Sequence, residues 1–287
     1  MEAAFAELPL ALFTTLAPMG AGAFIALALA FFTTKFTDEQ LKKIDQMTLI
    51  PLVVVLVGFA ASFFHLASPL HAVSVFAGIG SSPLSNEILV GSLFVVLAVV
   101  YVIVALAGKL KGGARKGFAA VVALAAIVFA CFTGMAYMMD TIASWNSPLV
   151  IVQMLGFALV GGLSLGTLVL GLAGSLTDAL KGSFKMAALV VVVVGALLAV
   201  AGFCAQVMGV NDMVNPLVSG ADLVAAAMTY LVAAVICLLA AAVANIVALM
   251  GKSPVALAGV STVLAVVGIF LARLVFYAVQ LSVGLSF

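Results

Sequence analysis

Eight apolar stretches, each about as long as a bilayer crossing, recur along this chain between short polar connections, and few folds accommodate that pattern. A helix needs roughly 20 predominantly apolar residues to span the hydrocarbon core. Barrel strands alternate apolar and polar side chains, whereas these stretches are apolar throughout, so a β-barrel is excluded. Only 7% of the 287 residues are charged and 67% are hydrophobic. Soluble domains carry about a quarter charged residues. The chain therefore reads as an all-α integral membrane protein.

The eight spans are expected near 8–32, 47–66, 84–107, 118–139, 149–174, 187–208, 224–249 and 255–280. They form one polytopic domain over residues 1–287, with a division into two four-helix bundles expected. The breaks carry suitable punctuation: the polar run Lys35 to Asp45, Gly112-Gly113, Asn146-Ser147-Pro148, and Ser253-Pro254. Proline is tolerated at a helix start because its missing N–H has no partner there anyway. Glycines crowd the fifth span, and close helix packing accounts for them better than a nucleotide loop, because no strand precedes them.

Orientation follows from the cations. Lys35, Lys42 and Lys43 lie in the first connection, Lys109, Lys111, Arg115 and Lys116 in the third, Lys181 and Lys185 in the fifth, and Lys252 in the seventh. Ten of the eleven basic residues thus fall in odd-numbered connections. The positive-inside rule makes those connections cytoplasmic and places both termini outside. Glu2 and Glu7, with no basic run before the first span, give no sign of a cleavable export signal, so that span is expected to stay in the membrane.

One outer stretch, Phe63 to Gly91, holds both histidines, His65 and His71, and also Glu87. Ionisable groups at or inside a membrane default to functional hypotheses. His65 closes the second span before Ser68-Pro69. Ser82 is the expected N-cap of the third span with Pro83 in its first turn, which sets Glu87 about one turn in. Arg273 and Tyr277 are four apart in the last span and share a face that Gln280 continues. Alternating topology brings these residues to the outer side together.

A His, a carboxylate, an Arg and a phenol suit a ring bearing two hydroxyls. Quinol oxidation releases two protons with two electrons, so each oxygen needs a hydrogen-bond partner and one group must accept a proton. Histidine titrates near neutrality, and apolar surroundings can bring a carboxylate into the same range. Plainer roles stand beside these: His65 as a helix-end anchor, Glu87 as a charge favoured by the helix dipole, and Arg273 reaching outward to water. His71 reads as a loop residue, Asp140 and Asp222 as solvated span ends, and Cys131, Cys204 and Cys237 as small buried hydrophobes. Two histidines six apart at one helix end do not supply the facing pair that a haem needs.

These residues carry a resemblance. Glu7-Leu8-Pro9-Leu10, His65-Leu66-Ala67-Ser68-Pro69, Leu84-Ser85-Asn86-Glu87-Ile88 and Arg273-Leu274-Val275-Phe276-Tyr277 are similar to elements of the membrane anchor subunits of dimethyl sulfoxide reductase and its relatives. Tyr137, Thr141 and Trp145 match that family's outer-loop pattern. The resemblance implies a haem-free anchor, with no iron–sulfur cluster of its own, in the bacterial inner membrane. It would oxidise menaquinol and pass electrons to an iron–sulfur subunit on the outer face and on to a molybdopterin catalytic subunit, without itself acting on the terminal substrate. It implies a quinol site of Glu87 and His65 as the reacting pair, with Ser68, Ser85, Asn86, Arg273 and Tyr277 around them. Lipid is an expected partner and nucleic acid is not. Where relatives carry an Arg ahead of the outer-loop tyrosine, this protein has Gly134-Met135-Ala136, which shifts weight to Arg273. The rival class is a secondary transporter of a small organic solute, which would show broken helices and polar groups near mid-depth. A purely structural anchor would leave Glu87 and Arg273 without a purpose.

Overall fold

A computed structural model describes residues 2–64 and 75–283; His65, Ser68 and His71 lie outside them. Eleven helices and no strand occur among the described residues. They are α1 (Glu2–Ala6), α2 (Leu8–Thr33), α3 (Asp38–Met47), α4 (Leu49–Phe63), α5 (Pro83–Leu106), α6 (Gly112–Met135), α7 (Leu149–Leu172), α8 (Leu176–Lys181), α9 (Phe184–Gly209), α10 (Gly220–Leu249) and α11 (Pro254–Ala278). Eight are long and apolar enough to cross a membrane when α3 and α4 are taken as one span, Asp38–Phe63. The protein is a multi-pass membrane protein.

Several boundaries differ from the expected ones by a few residues, and three regions are instructive. The polar run after the first span is itself helical, because Thr37 and Gln40 close a capping box and Asp38 and Glu39 occupy the positive first turn. The fourth span begins at Gly112, whose φ of +47° suits glycine, and ends at Met135 instead of near 139. The last span ends at Ala278, so Gln280 leaves the helix and is exposed rather than continuing the Arg273 face.

α2 and α7 are enclosed on nearly all sides, whereas the outer helices turn large apolar side chains outward. Ile103, Leu124, Leu197 and Val263 are each more than 60% exposed, as a lipid-facing ring requires. α2 packs on α4, α6 and α7, and α7 packs on α9 and α11, with α10 between α9 and α11. The α2–α7 seam is a glycine contact. A Cβ on Gly22 would lie 1.8 Å from Ala158 O, and one on Gly162 would lie 2.3 Å from the Gly22 carbonyl carbon. Without a hydrophobic force between helices in lipid, such close backbone approach is a main source of association.

The connections gather at two ends. At the basic end, Arg115 forms a buried two-pronged ion pair with Asp45 and also donates to Leu110 O (3.1 Å). Gln40 there donates to Asp178 (2.7 Å), joining α3 to α8. At the opposite end the α6–α7 connection, the α9–α10 connection and the C-terminal segment are stitched together. Val283 N donates to Thr141 O (3.1 Å), Asn215 Nδ2 to Ser282 O (3.2 Å), and Leu281 N to Ser144 Oγ (2.8 Å).

Candidate functional site

Under that stitched cap lies a buried polar cluster built from four helix ends and the turn after α6. α5 starts as its sequence dictates: Ser82 Oγ accepts from Ser85 N (3.4 Å) and Pro83 occupies the first turn. This puts Glu87 one turn in, 4% exposed, against the hydroxyl of Thr133 on α6. One carboxylate oxygen, Oε1, has no hydrogen-bond partner among the described residues. A carboxyl group so enclosed is held at substantial cost unless its remaining capacity is used.

Arg273 is fully buried on α11. Its Nε–H donates to Thr14 Oγ1 on α2 (2.9 Å) and its Nη2 donates to the Tyr277 hydroxyl (3.2 Å). Thr14 can serve because its own hydroxyl proton goes back to Leu10 O (2.7 Å), leaving lone pairs for the guanidinium. The guanidinium carbon sits over the rings of Phe276 (4.0 Å), Tyr137 (4.9 Å) and Tyr277 (5.0 Å). Such faces favour a desolvated cation by about 2 kcal/mol or more. The second terminal nitrogen, Nη1, has no partner among the described residues. Glu87 is within electrostatic reach of Arg273, but no ion pair joins them among the described residues.

Tyr137 lies just beyond the end of α6 and hydrogen-bonds Tyr277 through their hydroxyls. Trp145 stacks on Phe276 and donates its indole N–H to Phe276 O (3.1 Å), clamping the turn onto α11. Burial pushes the Tyr137 phenol well above its usual range, the neighbouring Tyr277 adds to this, and Arg273 opposes it only in part. The phenol therefore stays protonated and can donate and accept at once. Below the cluster, Phe13, Phe59, Phe129 and Phe94 form a contiguous set of ring contacts with centroids 5.2–6.3 Å apart. Gly91 permits it, since a Cβ there would meet Phe59 and Phe129 at 2.8 and 2.9 Å.

Glu87, Arg273 and Tyr277 thus fall in one cluster. Ser85 is buried near Gly78, while Asn86 turns to the preceding connection, where its Oδ1 accepts from Gly80 N (2.7 Å). Thr14, Thr133 and Tyr137 complete the cluster without having stood out in the sequence as site residues. Gly134, ahead of Tyr137, lies where α6 meets α7; a Cβ there would be 2.6 Å from the Ile151 Cα. Among the described residues no group of three or more His, Cys, Asp or Glu is placed to hold a metal ion.

Comparison with known families gives the context. The family described as DMSO reductase anchor subunit (DmsC) matches residues 1–279. The protein belongs to this family. The C chain of anaerobic dimethyl sulfoxide reductase from Haemophilus influenzae is 32% identical over 165 residues, covering 58% of this sequence and 59% of that protein. Its namesake from Escherichia coli K12 is 33% identical over 178 residues, 61% of each sequence. The anaerobic dimethyl sulfoxide reductase protein YnfH of E. coli K12 is 32% identical over 141 residues, 49% of each. The matched part spans about six tenths of the length of the first two relatives. Membership of the DmsC family thus extends along nearly the whole sequence, and the buried cluster is the feature of this member that chemistry must explain.

Proposed function

We propose that this DmsC-family protein anchors a heteromeric reductase and oxidises quinol, with menaquinol as the substrate class. The observation that carries the reading is a pair of hydrogen-bonding capacities left open among the described residues of one buried cluster, Glu87 Oε1 and Arg273 Nη1. Oxidising one quinol breaks two O–H bonds, releases two protons and two electrons, and leaves the quinone. Glu87 takes one proton. Thr133 supports this, because its hydroxyl proton goes to Phe129 O (3.0 Å) and its lone pairs remain to accept from a protonated Glu87. Arg273 balances the charge of Glu87 and orients the ring, and Tyr277 lines the pocket. His65, with Ser68, bonds the other quinol oxygen, and Ser85 and Asn86 shape the entrance.

In this reading the whole protein is one membrane domain in the bacterial inner membrane with both termini outside. The contacts of α2 with α4 and α6, and of α7 with α9 and α11, support two four-helix halves meeting at the Gly22–Gly162 seam. The electrons leave at the outer face to an iron–sulfur subunit and then to a molybdopterin subunit. Glu87→Gln tests the assignment, since it keeps shape and removes proton acceptance. Quinol oxidation is expected to fall to background while the amounts of anchor and of bound partners in the membrane stay constant. Normal turnover in that variant refutes the role.

A further inference from the structure

We infer that the α9–α10 turn, residues 210–219, is the docking knob for the iron–sulfur subunit, which meets it with an apolar recess rimmed by cationic side chains. The inference rests on the function proposed above and adds the surface through which electrons leave. Val214 and Leu217 are 73% and 74% exposed, the most open large apolar side chains in the described residues apart from Phe64. They do not belong to a lipid-facing span, because α9 has ended at Gly209 and α10 begins at Gly220.

The turn holds them out rigidly. Asn215 Oδ1 accepts from Leu217 N (2.9 Å) and Val218 N (2.8 Å), and Asn215 N donates to Val218 O (3.1 Å). Val214 and Ser219 pair across the base, and Gly220 N donates to Met213 O (2.8 Å). A preformed turn loses little conformational freedom when a partner covers it. Single exposed hydrophobes are ordinary, but two presented together by a pinned polar turn mark an interaction surface.

Charge selects the partner. Asp140, Asp212 and Asp222 lie at this end, whose connections contain no Lys or Arg. The cation at this end, Arg273, is fully buried. Exposed aspartates at the end that carries this apolar turn favour a protein face that bears cations. The knob is also joined to the cluster beneath it. Asn215 bonds Ser282, Ile142 bridges Ser282, and the same α6–α7 connection carries Tyr137 and Trp145 over Arg273 and Tyr277. The knob is thereby tied, through the C-terminal segment, to the connection that covers Arg273 and Tyr277.

The test is tagged full-length protein extracted from its native membrane, as wild type and as a Val214→Asp/Leu217→Asp variant. The iron–sulfur subunit is quantified by mass spectrometry and by its cluster signal. At least a tenfold loss of that subunit is expected, with an unchanged amount of anchor in the membrane. Wild-type retention is also expected to weaken as salt rises. Unchanged stoichiometry in the variant overturns the docking surface and leaves the quinol reading standing. Wild-type protein that carries no iron–sulfur subunit overturns that reading instead. If the variant depletes the anchor itself, Val214→Ser/Leu217→Ser is measured in its place, and depletion there as well assigns the two side chains to membrane insertion and overturns the inference.

Discussion

Arg273→Lys is the substitution that separates a functional guanidinium from a merely buried cation. Lysine keeps the charge but offers a compact ammonium in place of a planar fork. It cannot reproduce both the Nε bond to Thr14 at 2.9 Å and the Nη2 bond to Tyr277 at 3.2 Å, nor the flat contact with Phe276 at 4.0 Å. A hydrogen bond to a charged group contributes about 1.5–3 kcal/mol net. Losing the donor that Nη1 offers to substrate corresponds to roughly 10- to 150-fold in kcat/KM. The assay is oxidation of a reduced naphthoquinone by membranes containing the assembled complex, read against the amount of anchor present. Activity within about twofold of wild type would show that only the charge matters and that the fork orients nothing.

Tyr137→Phe keeps the ring that Arg273 faces but removes the hydroxyl bonded to Tyr277. Because burial holds that phenol protonated well above neutrality, the loss of rate, roughly three- to tenfold for one bond, is expected to be the same from about pH 6 to pH 9. A rate deficit that grows or vanishes across that range contradicts the structural reading. At the basic end, Arg115→Met leaves Asp45 buried without its partner, which costs about 3–5 kcal/mol. The expected result is a large fall in thermal stability in detergent with quinol oxidation per folded molecule preserved; preserved stability contradicts the pairing.

The spans were legible because their cause is simple: a bilayer demands about 20 apolar residues and alternation carries the cations to one end. Ser82, Pro83 and Glu87 could be placed correctly because helix capping is local chemistry. α3 carried its own sign in Thr37 and Gln40, a capping box hidden by the polarity of Lys35 to Asp45. Long-range partners left no such mark. Nothing near Arg115 points to Asp45, 70 residues away, and nothing near Tyr137 points to Tyr277, 140 residues away. Thr14 and Thr133 also look like ordinary helix residues, since a threonine bonding back to the preceding turn is common inside apolar helices. Gln280 falls off the Arg273 face because α11 ends at Ala278, before the four-residue period reaches it.

Two buried guanidiniums in one protein provide an internal control for the proposal. Arg115 meets a full counter-charge, and both its terminal nitrogens bond the Asp45 carboxylate. That pair joins α3 to the start of α6; Arg115 Nε also lacks a partner among the described residues, but the charge itself is met by a carboxylate. Arg273 is more deeply buried, yet its bonded partners are neutral hydroxyls and its neighbours are ring faces. Its counter-charge, Glu87, lies within electrostatic reach, and among the described residues no ion pair joins the two. A buried charge with an incomplete partner set is costly, and the fold tolerates this where the starts of α2 and α5 meet the ends of α6 and α11. A ring with two hydroxyls lying between Glu87 and Arg273 would complete both sets, donating to one and accepting from the other.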